Sequence, residues 1–301
     1  MFKGVYTALV TPFKDGKVDE DAYVAMIQEQ IQKGVDGIVP VGSTGEAPTL
    51  TSEEHLRVIG LAVRAADKKI KVIAGTGANS TAEAIYYTVN AEKIGADASL
   101  LIAPYYNKPT QEGLFEHFTA ISKSTNLPLV LYSIPSRCGI EIGVETVKRL
   151  VENCKNIVGI KEAGGDVDRV SQLRAAVKDP NFSILCGDDA LTLPFMSVGA
   201  AGVVSVASNI IPAELKAMVN AYASGKFNEA LEIHQKYYTL FKNLFVETNP
   251  VPVKSALAMM KKCHEDLRLP LCPLSQKNRA IVKATLEHLG LIDIEHEEVS
   301  W

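Results

Sequence analysis

Asn156-Ile157-Val158-Gly159-Ile160-Lys161 is an apolar run that closes on a primary amine and then breaks into Glu162-Ala163-Gly164-Gly165-Asp166. If the run is a strand of a buried parallel sheet, burial disfavours the ammonium form and lowers the lysine pKa. A lysine that is partly neutral near pH 7 attacks carbonyl carbons, so the chemistry to expect is covalent imine formation. The same run also fits a strand-end lysine that carries its amine out to solvent along its methylene stem.

Other reactive groups stand at the ends of apolar runs. Gly42-Ser43-Thr44-Gly45-Glu46 brackets two hydroxyls with glycines, a pattern that brings backbone amides and hydroxyls up to a small anion such as a carboxylate or phosphate. It equally fits a strand-to-helix turn with capping hydroxyls. Tyr132 could relay protons if its phenol meets a second hydroxyl, as carbinolamine formation and dehydration require; otherwise it is a core tyrosine. Arg137, in Ile134-Pro135-Ser136-Arg137-Cys138-Gly139, offers a planar fork for a substrate carboxylate or sits solvated on a loop. Gly75-Thr76-Gly77-Ala78-Asn79-Ser80 looks like a dinucleotide loop but lacks the final glycine and an acidic partner for a ribose. It reads as a loop leading into a capped helix.

These residues need a frame. Eight short apolar runs, at 4–11, 37–41, 71–75, 98–102, 129–133, 157–161, 183–186 and 202–206, are each followed by a longer helical pattern. Strands alternating with helices imply right-handed βαβ units, and eight of them predict a closed (β/α)8 TIM barrel. Thr51 with Glu54 and Ser80 with Glu83 have capping-box spacing, and Pro212 suits the first turn of a helix. In such a barrel, catalytic groups gather at the carboxyl ends of the strands. With Lys161 facing inward, the period of two turns Val158 and Ile160 toward the helices. Beyond residue 225 helical patterns recur at 226–247, 252–263 and 275–289, so the chain divides into a barrel over 1–224 and a helical region over 225–301. The aromatic residues of 226–247 read as packing rather than as a ligand box.

The 301 residues are 47% hydrophobic and 22% charged, with a formal net charge of -4. That balance gives no global basic field and argues against nucleic acid or an anionic membrane as partner. Five cysteines without a C-x-x-C pair signal neither a disulfide framework nor a zinc site. With no apolar leader or spanning stretch visible, the expected location is the cytoplasm, with no metal and no cofactor.

Gly42-Ser43-Thr44-Gly45-Glu46, Pro104-Tyr105-Tyr106-Asn107-Lys108-Pro109, Tyr132 through Arg137, Gly159 through Ala163 and Gly187-Asp188-Asp189 occur together and in order. In this combination the chain resembles the dihydrodipicolinate (4-hydroxy-tetrahydrodipicolinate) synthase family of pyruvate-dependent class I aldolases and lyases, over nearly its whole length. The resemblance implies a Schiff base between Lys161 and pyruvate, whose enamine attacks L-aspartate 4-semialdehyde. It implies that Thr44 holds the pyruvate carboxylate and that Ser43, Tyr132 and a neighbouring subunit's Tyr106 relay protons. Arg137 would meet the semialdehyde carboxylate, and Gly187 and Val204 would supply backbone near the nucleophile. A homodimer or homotetramer follows, as does a regulatory L-lysine site matching His55, Asn79, Glu83 and Tyr105. Ser43 and Ser133 depart from the commoner threonine and asparagine, and Ala47, Pro48 and Ser52 depart around the regulatory positions. Related enzymes, N-acetylneuraminate lyase and sugar-acid aldolases, use the same lysine and tyrosine on polyhydroxylated aldehydes. A non-catalytic ligand-sensing barrel is the alternative of a different class.

Overall fold

Strand formation follows from burial on both faces. In the computed structural model, which describes residues 1–293, the strands are β1 (Gly4–Ala8), β2 (Phe13–Lys14), β3 (Lys17–Val18), β4 (Gly37–Val39), β5 (Lys71–Gly75), β6 (Ala98–Ile102), β7 (Leu129–Ser133), β8 (Ile157–Glu162), β9 (Ser183–Cys186) and β10 (Gly202–Ser205). All except β2 and β3 form one closed parallel barrel in the order β1-β10-β9-β8-β7-β6-β5-β4, with β4 returning to β1. This is the (β/α)8 barrel that the eight apolar runs predict. Helices such as Ser52–Ala66, Thr81–Ile94 and Pro212–Ala223 cover its outside.

Three strands end sooner than their apolar runs, β10 by a single residue at Ser205. β1 stops at Ala8 although Leu9 and Val10 stay fully buried, because burial alone does not make a ladder partner. β4 stops at Val39: Pro40 has no amide to donate, and Val41 turns into the left-handed region at φ 50°. The small antiparallel β2–β3 ribbon is not among the sequence expectations. Its turn, Asp15-Gly16, has positive φ at both residues (53° and 76°), as a tight hairpin requires.

Thr51 completes its capping box with Glu54, in both directions. Ser80 accepts from the Glu83 amide and starts Thr81–Ile94. Gly75 and Gly77 are close-packing positions: a Cβ there would lie 2.4 Å from Val41 O and 2.3 Å from Ile102 N. That crowding accounts for the glycines of the Gly75–Ser80 loop without a nucleotide.

Three helices follow the barrel: Phe227–Asn243, Val251–Met259 and Gln276–His288. Residues 294–301, the end of the expected helical region, lie outside the described residues. Ion pairs and hydrogen bonds tie this region to the barrel, two of them around Phe13. Lys254 and Glu46, both 0% exposed, form an ion pair at 2.5 Å, and Arg268 bonds Glu54 at 2.6 Å and Thr49 O at 2.9 Å. The Phe13 ring lies between the two cations, 4.3 Å from Lys254 Nζ and 4.4 Å from Arg268 Cζ.

Candidate active site

Lys161 and Tyr132 are Cα partners across β7 and β8, so the pleat turns both side chains to the same face of the sheet. The Lys161 amine sits 4.2 Å from the centre of the Tyr132 ring, and Lys161 is only 7% exposed. The amine does not reach solvent at the strand end. The next residue, Glu162, points the other way and is fully buried. Its carboxylate accepts from Arg169 Nε at 2.6 Å and from the Gly164 amide at 2.7 Å, while Arg169 also bonds Glu141 and Ile142 O. This network fixes the end of β8 from behind and so fixes the direction of Lys161. Ile160 is fully buried, and Val158, passed over where the β7–β8 register shifts, is half-buried.

Burial lowers the Lys161 pKa to about 8 from an ordinary 10.5; the Asp189 charge opposes the shift and the Arg137 charge adds to it. At pH 7 such a lysine presents about 300-fold more free amine than an unperturbed one. Burial pushes the Tyr132 phenol well above its ordinary range, with the Arg137 charge and a hydrogen bond to the Ser43 hydroxyl pulling back. The phenol therefore stays protonated and can pass a proton on without becoming an anion.

A small cavity of about 50 Å³ surrounds the amine, walled by Ser43, Thr44, Tyr132, Arg137, Gly187 and Asn249 among others. Gly187 has to be a glycine here, since a Cβ would lie 2.5 Å from Ala163 Cβ and 3.1 Å from Lys161 Cε. Of the glycines in the Gly42–Glu46 loop, Gly42 faces open space, whereas a Cβ on Gly45 would lie only 3.0 Å from the Val41 backbone. Only Gly42 leaves room for a ligand. Val204 is a buried strand residue paired with Tyr6, and Val206, two positions later, lines the cavity instead.

Outside the inner cavity lies a chamber of about 260 Å³ that shares Ser43, Arg137 and Asn249 with it. A third cavity, of about 230 Å³, shares Ser43 and Tyr132 with the inner one and is lined further by His55, Glu83 and Tyr105. Asn79 stays off that lining and donates to Tyr105 O at 3.2 Å. His55 stacks on Tyr87 at 4.1 Å and contacts Gly75 O at 2.8 Å; burial takes its pKa down to about 4, so the ring is neutral at pH 7. Tyr106, by contrast, is 90% exposed with φ 73° and touches none of these cavities.

The sequence matches the dihydrodipicolinate synthetase family over residues 1–289. The 4-hydroxy-tetrahydrodipicolinate synthase of Sulfurihydrogenibium sp. is 53% identical over 293 residues, covering 97% of this chain and 100% of that protein. The chain belongs to the dihydrodipicolinate synthetase family. Among solved structures, the 4-hydroxy-tetrahydrodipicolinate synthase from Methylacidiphilum fumariolicum SolV superposes with a TM-score of 0.95 at 57% identity, over 96% of each chain. A dihydrodipicolinate synthase from Cyanidioschyzon merolae with lysine bound superposes with a TM-score of 0.94 at 41% identity, over 97% of this chain and 99% of that one.

Asn249 is the site residue of this family member that sequence reasoning missed. Its Nδ2 donates to Thr44 Oγ1 at 3.0 Å and its backbone carbonyl accepts from Arg137 Nη2 at 2.9 Å. Because Thr44 Oγ1 already accepts, its own hydroxyl proton is free to point at a ligand. Phe245, part of the aromatic pattern read as packing, also lines the inner cavity. The clue to Asn249 was local: Thr248-Asn249-Pro250-Val251-Pro252 breaks the helical pattern with two prolines, a loop signature in an otherwise helical region.

Proposed function

We propose that this chain condenses pyruvate with L-aspartate 4-semialdehyde to 4-hydroxy-tetrahydrodipicolinate, the first committed step toward diaminopimelate and lysine. The observation that carries the reading is the dry lysine in register with Tyr132, beside the Ser43–Thr44 hydroxyls. Lys161 Nζ adds to C2 of pyruvate, while the Thr44 hydroxyl and the loop amides take its carboxylate. Tyr132 and Ser43 pass a proton to the former carbonyl oxygen, which leaves as water. The resulting protonated imine loses a C3 proton, and the enamine carbon attacks the aldehyde carbon, whose oxygen takes a proton from the same relay. The semialdehyde's own amine then adds to the imine carbon, closes the ring and releases Lys161.

Arg137 selects the aldehyde. It stands on the wall between inner cavity and outer chamber, its guanidinium steadied by the Asn249 carbonyl, where a second substrate's carboxylate would arrive. A polyhydroxylated sugar aldehyde needs no such cation. The test is pyruvate consumption with the semialdehyde, N-acetylmannosamine and glyceraldehyde in parallel. The expected result is fast turnover with the semialdehyde alone, and an Arg137→Ala variant whose KM for it rises about 10- to 100-fold while pyruvate imine formation persists. Turnover with a sugar aldehyde instead would move the chain to the lyase reading, and no turnover at all would favour a ligand-sensing barrel.

The exposed, left-handed Tyr106 supports a dimer at least, in which the partner subunit's Tyr106 completes the relay; a tetramer is the natural arrangement of two such pairs. The barrel over 1–224 and the helical region from 225 then act as one catalytic unit, since Asn249 and Phe245 come from the second. Among the described residues no helix is long and apolar enough to cross a membrane, and all five cysteines are free, which supports a cytoplasmic location. The cavity lined by His55, Glu83 and Tyr105 is the regulatory site for L-lysine, with the Glu83 carboxylate for the ammonium group. Because it shares Ser43 and Tyr132 with the inner cavity, a ligand there bears directly on the relay. Initial rates should fall at millimolar L-lysine; rates that hold steady across that range remove the regulatory assignment.

A further inference from the structure

The reaction scheme has no use for Asp189, a carboxylate only 1% exposed that opens the short turn after β9. Its Oδ2 accepts the amides of Val206 and Ala207 at 3.1 and 2.9 Å, while Oδ1 is buried without a hydrogen-bond partner among the described residues. The two buried glutamates of the barrel's carboxyl end, by contrast, are matched: Glu46 to Lys254 at 2.5 Å and Glu162 to Arg169 at 2.6 Å. A buried carboxylate without a cation is costly.

No ion pair joins Asp189 to Lys161 among the described residues, but the Asp189 charge acts on the Lys161 amine, and the two lie on adjoining walls. Gly187, two residues before Asp189, packs against the Lys161 side chain, and Val206, whose amide Asp189 holds, lines the Lys161 cavity. The titratable and polar groups around the pair are Asp188 and Cys186 from the β9 end, Ser205 from β10, and Arg137 from the turn after β7. None of these is a cation bound to Asp189.

We infer that Asp189 is a positioning residue for the Schiff-base chemistry, the fixed counter-charge that keeps the Lys161 nitrogen cationic first as ammonium and then as iminium. The inference rests on the reading of Lys161 as nucleophile. When the ammonium becomes the iminium, its two surplus protons leave with the carbonyl oxygen as water, and one positive charge stays on nitrogen. A single anion, clamped by two amides, therefore serves both states without moving. The charge on the iminium is what makes the C3 proton acidic, so a neutral imine would stall at that point. Burial raises the Asp189 pKa to about 6, with the Ala207 and Val206 amides holding it down, so the carboxylate is mostly ionised at pH 7.

The test is borohydride trapping of pyruvate, read by mass spectrometry against pH, together with deuterium exchange at pyruvate C3. The parent's trapping midpoint is expected near 8, and Asp189→Asn should move it down by about one to three pH units and slow exchange at least about tenfold. Asp189→Glu should bring both back toward the parent. An Asp189→Asn protein that melts like the parent, with midpoint and exchange unchanged, overturns the inference. A titration of the parent keeps it testable if that variant misfolds. The Lys161 15Nζ resonance, assigned by its loss in Lys161→Arg, should show a second, smaller inflection near pH 6 as Asp189 titrates. A single-step titration overturns the inference, whereas a normal two-step titration in a protein that traps no pyruvate shows instead that the nucleophile reading is at fault.

Discussion

Replacing Lys161 by alanine is expected to abolish imine trapping and to lower turnover by on the order of 10⁴-fold or more, because no second amine lines the inner cavity. The hydroxyls, Arg137 and Asn249 all remain in the variant, so pyruvate and semialdehyde still find their contacts; only the covalent step is gone. The loss should therefore fall on kcat rather than on affinity for pyruvate. In the parent, the rate of imine formation should climb with pH as the amine deprotonates through about 8 and level off above it. Mass spectrometry of borohydride-treated protein reads both effects. A trapped adduct on Lys161→Ala protein would place the imine on a different residue.

Lys254→Met should cost about 3–5 kcal/mol of stability, since it leaves the Glu46 carboxyl without its partner in a place from which water is excluded. For a chain of this size that is a fall of roughly 5–8 °C in melting temperature. The double variant Glu46→Gln, Lys254→Met should recover much of it, because both charges are then gone. The damage should reach the site as well. Glu46 belongs to the loop that carries Ser43 and Thr44, and the Arg268 amide bonds its second oxygen at 3.2 Å. Freed from Lys254, that loop should hold pyruvate less well, seen as a rise in its KM at temperatures where the variant is still folded. A melting temperature within about 2 °C of the parent would show that the pair contributes little.

Much of the barrel is written locally. Each strand is a short apolar run because both of its faces are buried, and the alternation of side chains is enough to send Lys161 and Tyr132 inward together. Strand ends are less legible: Leu9 and Val10 are as apolar as β1 itself, and only the pairing of the chain distinguishes them. The β2–β3 ribbon was readable from Asp15-Gly16, but two-residue strands leave no alternation to support the turn signal. Asn249 and Lys254 were out of reach for a different reason. Their partners, Thr44 and Glu46, lie 205 and 208 residues away, and nothing in a helical period records a contact across that distance. Tyr106 stands apart from the cavities, so its place in the relay came from family resemblance rather than from spacing.

Lys161 and Tyr132 are built into two adjacent strands, whereas Ser43, Arg137 and Asn249 sit beyond the strand ends, on a turn, a four-residue helix and the turn between two appended helices. What attacks is thus set by the walls of the barrel, and what is attacked is set by its rim. Aldehyde preference should be the property easiest to redirect by exchanging rim residues, with the nucleophile kept in place by the hydrogen-bonded register of β7 and β8. Any change to that register, however remote from the rim, would touch every substrate alike.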